Sequence, residues 1–136
     1  MLFRSLAGVR PGEMVDWMWA GFVDGAEWVM VPNVVGMSLH ADGGRMATKP
    51  YAAGGAYIDR MSDYCRGCRY DPRQALGERA CPFTTLYWDF LDRNRDRFAG
   101  NQRMAQQIAG LKRLTDLDEV RVRAEQVRAG LVAGTV

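Results

Sequence analysis

No apolar run in this sequence is long enough to cross a bilayer. The first ten residues also lack the charged-then-apolar order and small-residue cleavage site of a secretory signal. A cytoplasmic location is therefore expected, with no membrane partner. An excess of either charge is missing too: 18 Lys and Arg stand against 16 Asp and Glu, a formal net charge of +2. So even a balance does not by itself point to a nucleic-acid binder. Lysine is scarce, Lys49 and Lys112 being the only two. Arginine suits carboxylates, phosphates and aromatic faces, but a GC-rich genome produces the same bias and is the simpler cause. The cysteines number three, and an odd count argues against a closed disulfide framework. In a reducing compartment their thiols stay available to a metal or cluster. Strand-like alternation, internal repeats and low-complexity tracts are all absent.

What is present reads as helix. The chain is 48% apolar, which argues against disorder over its length. Pro11, Gly12 and Glu13 have the composition of a first helical turn, where a missing donor and an acid are both favoured. Met14 to Ala26 carries Trp17, Trp19 and Phe22 and predicts a mostly buried helix ending near Asp24 and Gly25. Glu27 to Met30 extends the helical pattern, and Pro32 is expected to interrupt it. From Asn33 to Gly55 six glycines and prolines break regular structure: Gly36, Gly43, Gly44, Pro50, Gly54 and Gly55. Loops of that length inside a domain usually carry function.

Tyr51 to Asp63 predicts a short helix leading into the cysteines. Phe83 to Arg97 places Phe83, Leu86, Tyr87, Phe90 and Leu91 on one helical face. Asn101 to Leu114 continues that pattern through Met104, Ile108 and Leu111. Thr115 with Asp118 resembles a capping box opening a last helix, Asp116 to Ala129, and 130–136 should fray. The fold class is all-α, one domain over 1–136 with long loops.

Cys65, Cys68 and Cys81 form C-x2-C-x12-C, followed by Pro82. Two thiolates separated by two residues can grip one metal centre from a single turn, and a third closes the site from a loop. Cysteines that merely fill a core rarely come as such a pair, although CxxC also serves redox chemistry. The spacing does not separate zinc from iron–sulfur. His40, the only histidine, would complete a three-Cys, one-His zinc site in a small interaction domain. A cluster held by four thiolates needs one cysteine more than the chain contains.

Three runs carry a resemblance: WVMVPNVVGMSLHADGG, TKPYAAGGAYIDRMSDYCRGC and ACPFTTLYWDFL. Together they resemble the carboxy-terminal signature of the iron–sulfur bacterial cryptochromes and photolyases, also called prokaryotic (6-4) photolyases or photolyase-related proteins. The resemblance implies the carboxy-terminal part of a helical domain that holds FAD and a four-iron four-sulfur cluster. It places Cys65, Cys68 and Cys81 on three of the four cluster ligands. The fourth, the amino-terminal antenna domain with its lumazine chromophore and the earlier helices are expected upstream, so that the chain is a fragment or a truncated reading frame. The implied function is light-dependent DNA repair, with damaged DNA as partner, or the photoreceptor signalling of a cryptochrome. The piece alone is expected neither to hold FAD tightly nor to repair DNA.

Around the flavin, the resemblance implies an acid near the end of the helix before the signature and an asparagine soon after it. Asp24 or Glu27 suits the first and Asn33 the second, with Met37 nearby. A carboxylate accepts from ribose hydroxyls, and an amide can hydrogen-bond a ring nitrogen whose protonation follows redox state. Asp24 as a helix-end residue and Asn33 as a turn residue are the bland alternatives. Gly36, Gly43 and Gly44 would let backbone approach a cofactor or DNA. Lys49 suits a phosphate contact and Tyr51 a stacking contact with a splayed nucleotide; a solvated lysine and a half-buried tyrosine are the bland alternatives. Trp17, Trp19 and Trp28 would relay electrons to the flavin, although aromatic stripes are more often core.

Overall fold

The computed structural model describes residues 2–136, with side chains from Ser5 onward. Among the described residues there are helices and no strands, only an isolated bridge between Asp71 and Ala80. The elements run α1 (Leu2–Ala7), α2 (Pro11–Gly21), α3 (Glu27–Val31), a π-helical turn (Pro32–Ser38), α4 (Gly55–Met61), α5 (Pro82–Arg93), α6 (Arg95–Phe98), a 3₁₀ turn (Gln102–Met104), α7 (Ala105–Leu111) and α8 (Leu117–Ala133). The all-α expectation is met.

Helix α5 is the axis of the larger core. Its face of Leu86, Phe90 and Leu91 is buried with Leu6 of α1, Phe98 of α6, Met104, Ile108 and Leu111 around α7, and Ala124 and Val127 of α8. Phe83 and Tyr87 pack at its margin, as their helical spacing predicts. Polar contacts seal the same helix. Asp89 is buried and accepts from Arg93 at 2.8 Å and from Arg128 of α8 at 2.6 Å. Arg93 also donates to the Leu6 carbonyl at 3.0 Å, pinning α1. Asp92 bridges Arg95 and Arg121, each at 2.7 Å.

A smaller core of Met14, Met18, Met30 and Val34 joins α2, α3 and the π turn. Here the sequence expectations need correcting. Helix α2 ends at Gly21, and only its two methionines are buried; Trp17 is 54% and Phe22 51% exposed. Pro32 does not break the chain but sits at the start of the π turn with helical φ −61° and ψ −39°. Proline has no N–H to offer, and a helix start asks for none. The capping box does not form: Asp116 is the N-cap of α8 and makes no side-chain cap bond. That helix continues to Ala133, four residues beyond the predicted Ala129, where Gly134 closes it at φ 71°.

Candidate functional site

The cysteine segment is a loop fastened to the first turn of α5. Cys65 and Cys68 share one turn, the Cys68 amide donating to the Cys65 carbonyl at 3.2 Å. Gly67 between them adopts φ 76°, a left-handed conformation that costs glycine nothing. Cys81 is the N-cap of α5 and buried, Cys65 half-buried and Cys68 exposed; all three are free thiols.

Two adjacent threonines hold the loop. The Thr84 hydroxyl accepts from the Gly55 amide at 2.9 Å and donates to the Pro72 carbonyl at 2.7 Å. The Thr85 hydroxyl donates to the Ala75 carbonyl at 2.7 Å. Backbone bonds from Cys81 to Gln74 (2.9 Å) and from Asp71 to Arg79 (2.8 Å) close the stretch on itself. Gly55 starts α4 directly against Cys81. A Cβ there would lie 2.7 Å from the Cys81 sulfur and 2.7 Å from the Pro72 oxygen. Sequence reasoning missed these braces, although the Thr-Thr pair one turn inside a helix that begins at Pro82 was the available signal.

Partial burial raises the Cys65 thiol above its ordinary pKa, with further contributions from the Asp59 carboxylate and from Cys81 and Cys68. Among the described residues, however, no three of His, Cys, Asp or Glu stand in a metal-holding arrangement. His40 is elsewhere occupied. It is buried, its ring 5.8 Å from that of Phe98 and close against Gly44.

Next to the smaller core lies an apolar cleft of about 410 Å³, lined by Met18, Val29, Met30, Asn33, Val34, Met37, Ser38 and Tyr51. The structure therefore brings together Asn33 and Met37, two of the residues expected near flavin. The Asn33 amide nitrogen is turned back onto the Val29 carbonyl at 2.7 Å. Neither acid lines the cleft: Asp24 lies in the exposed bend after α2, and Glu27 is exposed at the start of α3.

Gly36 is buried under the neighbouring loop and not open to a ligand, because a Cβ on it would meet Met46 at 2.6 Å. Gly43 and Gly44 serve the turn itself, at φ 74° and 86°. Asp42 ties that turn, accepting from the amides of Gly44 at 2.9 Å and Met46 at 2.8 Å. Burial pushes its carboxyl up, but these amides outweigh it and hold the group below the usual carboxylate range. The tryptophans expected in an electron relay are on the surface, Trp28 being 81% and Trp19 41% exposed.

A second cleft, of about 510 Å³, opens between the segment 49–60 and α5. Lys49 and Tyr51, the two residues expected to touch DNA, both line it, and Tyr51 also borders the apolar cleft. Asn101 fixes the approach to Lys49, its side-chain nitrogen donating to the Thr48 carbonyl at 2.7 Å.

A helical unit without strands among the described residues is what the photolyase resemblance implies for its carboxy-terminal part. Similarity to known proteins agrees, and the chain belongs to the photolyase family, matching its carboxy-terminal part. A (6-4) photolyase of Agrobacterium fabrum is 54% identical over 114 residues, 84% of this chain. The chain spans only about a fifth of that photolyase, 22% of its length. An uncharacterized protein of Acanthamoeba polyphaga mimivirus is 32% identical over 98 residues, 72% of each of the two chains. No family model matches. Among the described residues no helix is long and apolar enough to cross a membrane.

Proposed function

We propose that this chain is the thiol-bearing helical segment of a light-dependent DNA-repair flavoprotein of the (6-4) photolyase kind. The observation that carries the proposal is the 54% identity to a (6-4) photolyase over 84% of the chain. FAD bound in the intact protein would supply light absorption and the electron that splits the lesion. The residues here would position and shield. The apolar cleft with Asn33 and Met37 suits one edge of a flavin ring, its methionines excluding water and its amide offering a hydrogen bond. Asp24 and Glu27, exposed beside α3, remain the acids available to the rest of the cofactor.

Cys65, Cys68 and Cys81 would ligate an iron–sulfur cluster. What supports the assignment is the chemistry of the donors, three free thiols between the cysteine loop and the start of α5 with the chain's only imidazole packed elsewhere on Phe98. The described residues do not draw the three into a ready metal arrangement. Loading must remove the Cys65 proton, which burial holds more tightly than in a free thiol. A four-thiolate cluster takes its remaining ligand from outside this chain, which has no other cysteine. Lys49 and Tyr51 would meet the damaged DNA.

The test is metal and flavin analysis of anaerobically purified protein containing this chain within its parent, followed by illumination with (6-4)-lesion DNA. Iron and acid-labile sulfide in equal amounts, bound FAD and light-dependent repair are expected. Zinc in place of iron would overturn the cluster assignment. Flavin photoreduction without repair would shift the reading to a cryptochrome photoreceptor. The isolated chain is expected to purify without stoichiometric FAD.

A further inference from the structure

Three cations reach the larger cleft from three separate segments: Lys49 from the loop before α4, Arg60 from α4 and Arg73 from the cysteine loop. No aspartate or glutamate lines it. Among the described residues none of the three is in an ion pair, whereas Arg93, Arg95, Arg121 and Arg128 are all paired with Asp89 or Asp92.

One of the cations is oriented, and the backbone carrying the other two is fixed. The Arg60 guanidinium lies over the Tyr57 ring, 5.6 Å from its centroid, an attraction that orients the charge without neutralising it. The Arg73 amide donates to the Asp71 carboxylate at 2.9 Å, and the Asn101 bond to Thr48 fixes the backbone next to Lys49. Trp88 forms part of the wall. Its ring meets Tyr87 edge-on at 5.5 Å and backs onto Gly110, where a Cβ would stand 3.3 Å from the indole.

Unpaired cations beside a supported aromatic ring are the composition of a surface that follows a nucleic-acid strand, the charges taking phosphates and the ring a base. We infer that this cleft grips the phosphate backbone of single-stranded DNA through Lys49, Arg60 and Arg73, with Trp88 as the stacking wall. The inference rests on DNA being the partner of the intact protein, and it adds Arg60, Arg73 and Trp88 to the two residues already placed there. It concerns undamaged strand next to a lesion, so it calls on neither light nor flavin.

The experiment is fluorescence anisotropy of the full chain with a labelled, undamaged single-stranded oligonucleotide, in the dark, across a salt series. Single-strand binding loses about 0.7 in the slope of log affinity against log salt for each phosphate contact removed. Arg60→Gln and Arg73→Gln are each expected to flatten the slope by that amount, and the double variant by about twice it. Arg113→Gln, outside the cleft, serves as the control and should leave the slope unchanged. Trp88→Leu should weaken binding by about fivefold or more while the slope stays as it was.

Circular dichroism verifies that each variant folds; the arginines are exposed, so they remain informative if the tryptophan variant does not. An unaltered slope in the double variant, an equal loss in the control, or no binding by the folded chain overturns the inference. Preference for duplex of the same sequence overturns the single-strand assignment. A failure here with repair intact in the parent would leave the proposed function standing. Strand binding without repair would do the reverse.

Discussion

Gly55 carries more structural consequence than any other glycine near the thiols. Its missing Cβ is what lets α4 begin against the Cys81 sulfur and the Pro72 carbonyl. Gly55→Ala is expected to cost about 1–3 kcal/mol through overpacking and to displace Cys81, read as a lower melting temperature and a lower iron yield from the parent. His40 is a second sensitive residue, since it is buried at φ 52° with no hydrogen-bond partner for Nδ1. Burial holds its imidazole below the ordinary value; Asp42 opposes that shift and Arg97 adds to it. The unfolded chain thus takes up the proton first. His40's contribution to stability is full above the unfolded value of about 6.5 and is lost as pH falls from there towards the folded pKa. His40→Gln should flatten the dependence of urea-unfolding midpoints on pH in that interval.

Asp92 behaves alike at lower pH. The Arg121 hydrogen bond, opposed by burial and aided by both arginine charges, holds its carboxyl below the usual range. The resulting stability is present above about pH 3.9 and disappears as pH falls through the folded value. Asp92→Asn should leave a shallower acid limb in a pH titration of stability.

At the scale of elements, α5 connects everything: the core, the brace on the cysteine loop and the charged seam to α8. Asp89→Ala leaves Arg93 and Arg128 without their shared acceptor and should cost about 1.5–3 kcal/mol, measured by denaturant unfolding. Thr85→Val removes the bond to the Ala75 carbonyl, an expected loss of about 1 kcal/mol with greater protease sensitivity in 71–81. Helix α5 was legible because Leu86, Phe90 and Leu91 repeat with the helical period and do become buried. The thiol spacing was legible for the same reason: it is local. The brace was not, because Thr84 bonds Gly55 across 29 residues and nothing in a periodicity reports so distant a partner. Pro32 misled for a related reason. Its conformational preference suits both a break and a fresh helical start, and packing of Val34 into the smaller core decides between them.

Across the whole molecule, the clearest departure from expectation is the aromatic surface of α2 and α3. Trp17, Trp19, Phe22 and Trp28 look like core by composition, yet they are exposed. A helical pattern shows which residues share a face but not whether anything lies against that face. An exposed patch of this kind attracts apolar probes and other chains. The purified chain is expected to enhance the fluorescence of a hydrophobic dye and to show concentration-dependent association by light scattering, both falling in a Trp17→Gln/Trp28→Gln variant. The whole-molecule identity was legible for another reason: three separate runs matched together where any one alone would have been weak.

The π turn at Pro32–Ser38 also sets the heading of all that follows it. Each of its wider loops holds one residue more than an α turn, and the Leu39 amide closes such a loop on the Val34 carbonyl. Excising one residue, Val35 for instance, would let the coil tighten and wind the next stretch by about 100°. Met37 would then swing away from Tyr51, so the spare residue acts as a phase setting between the two hollows.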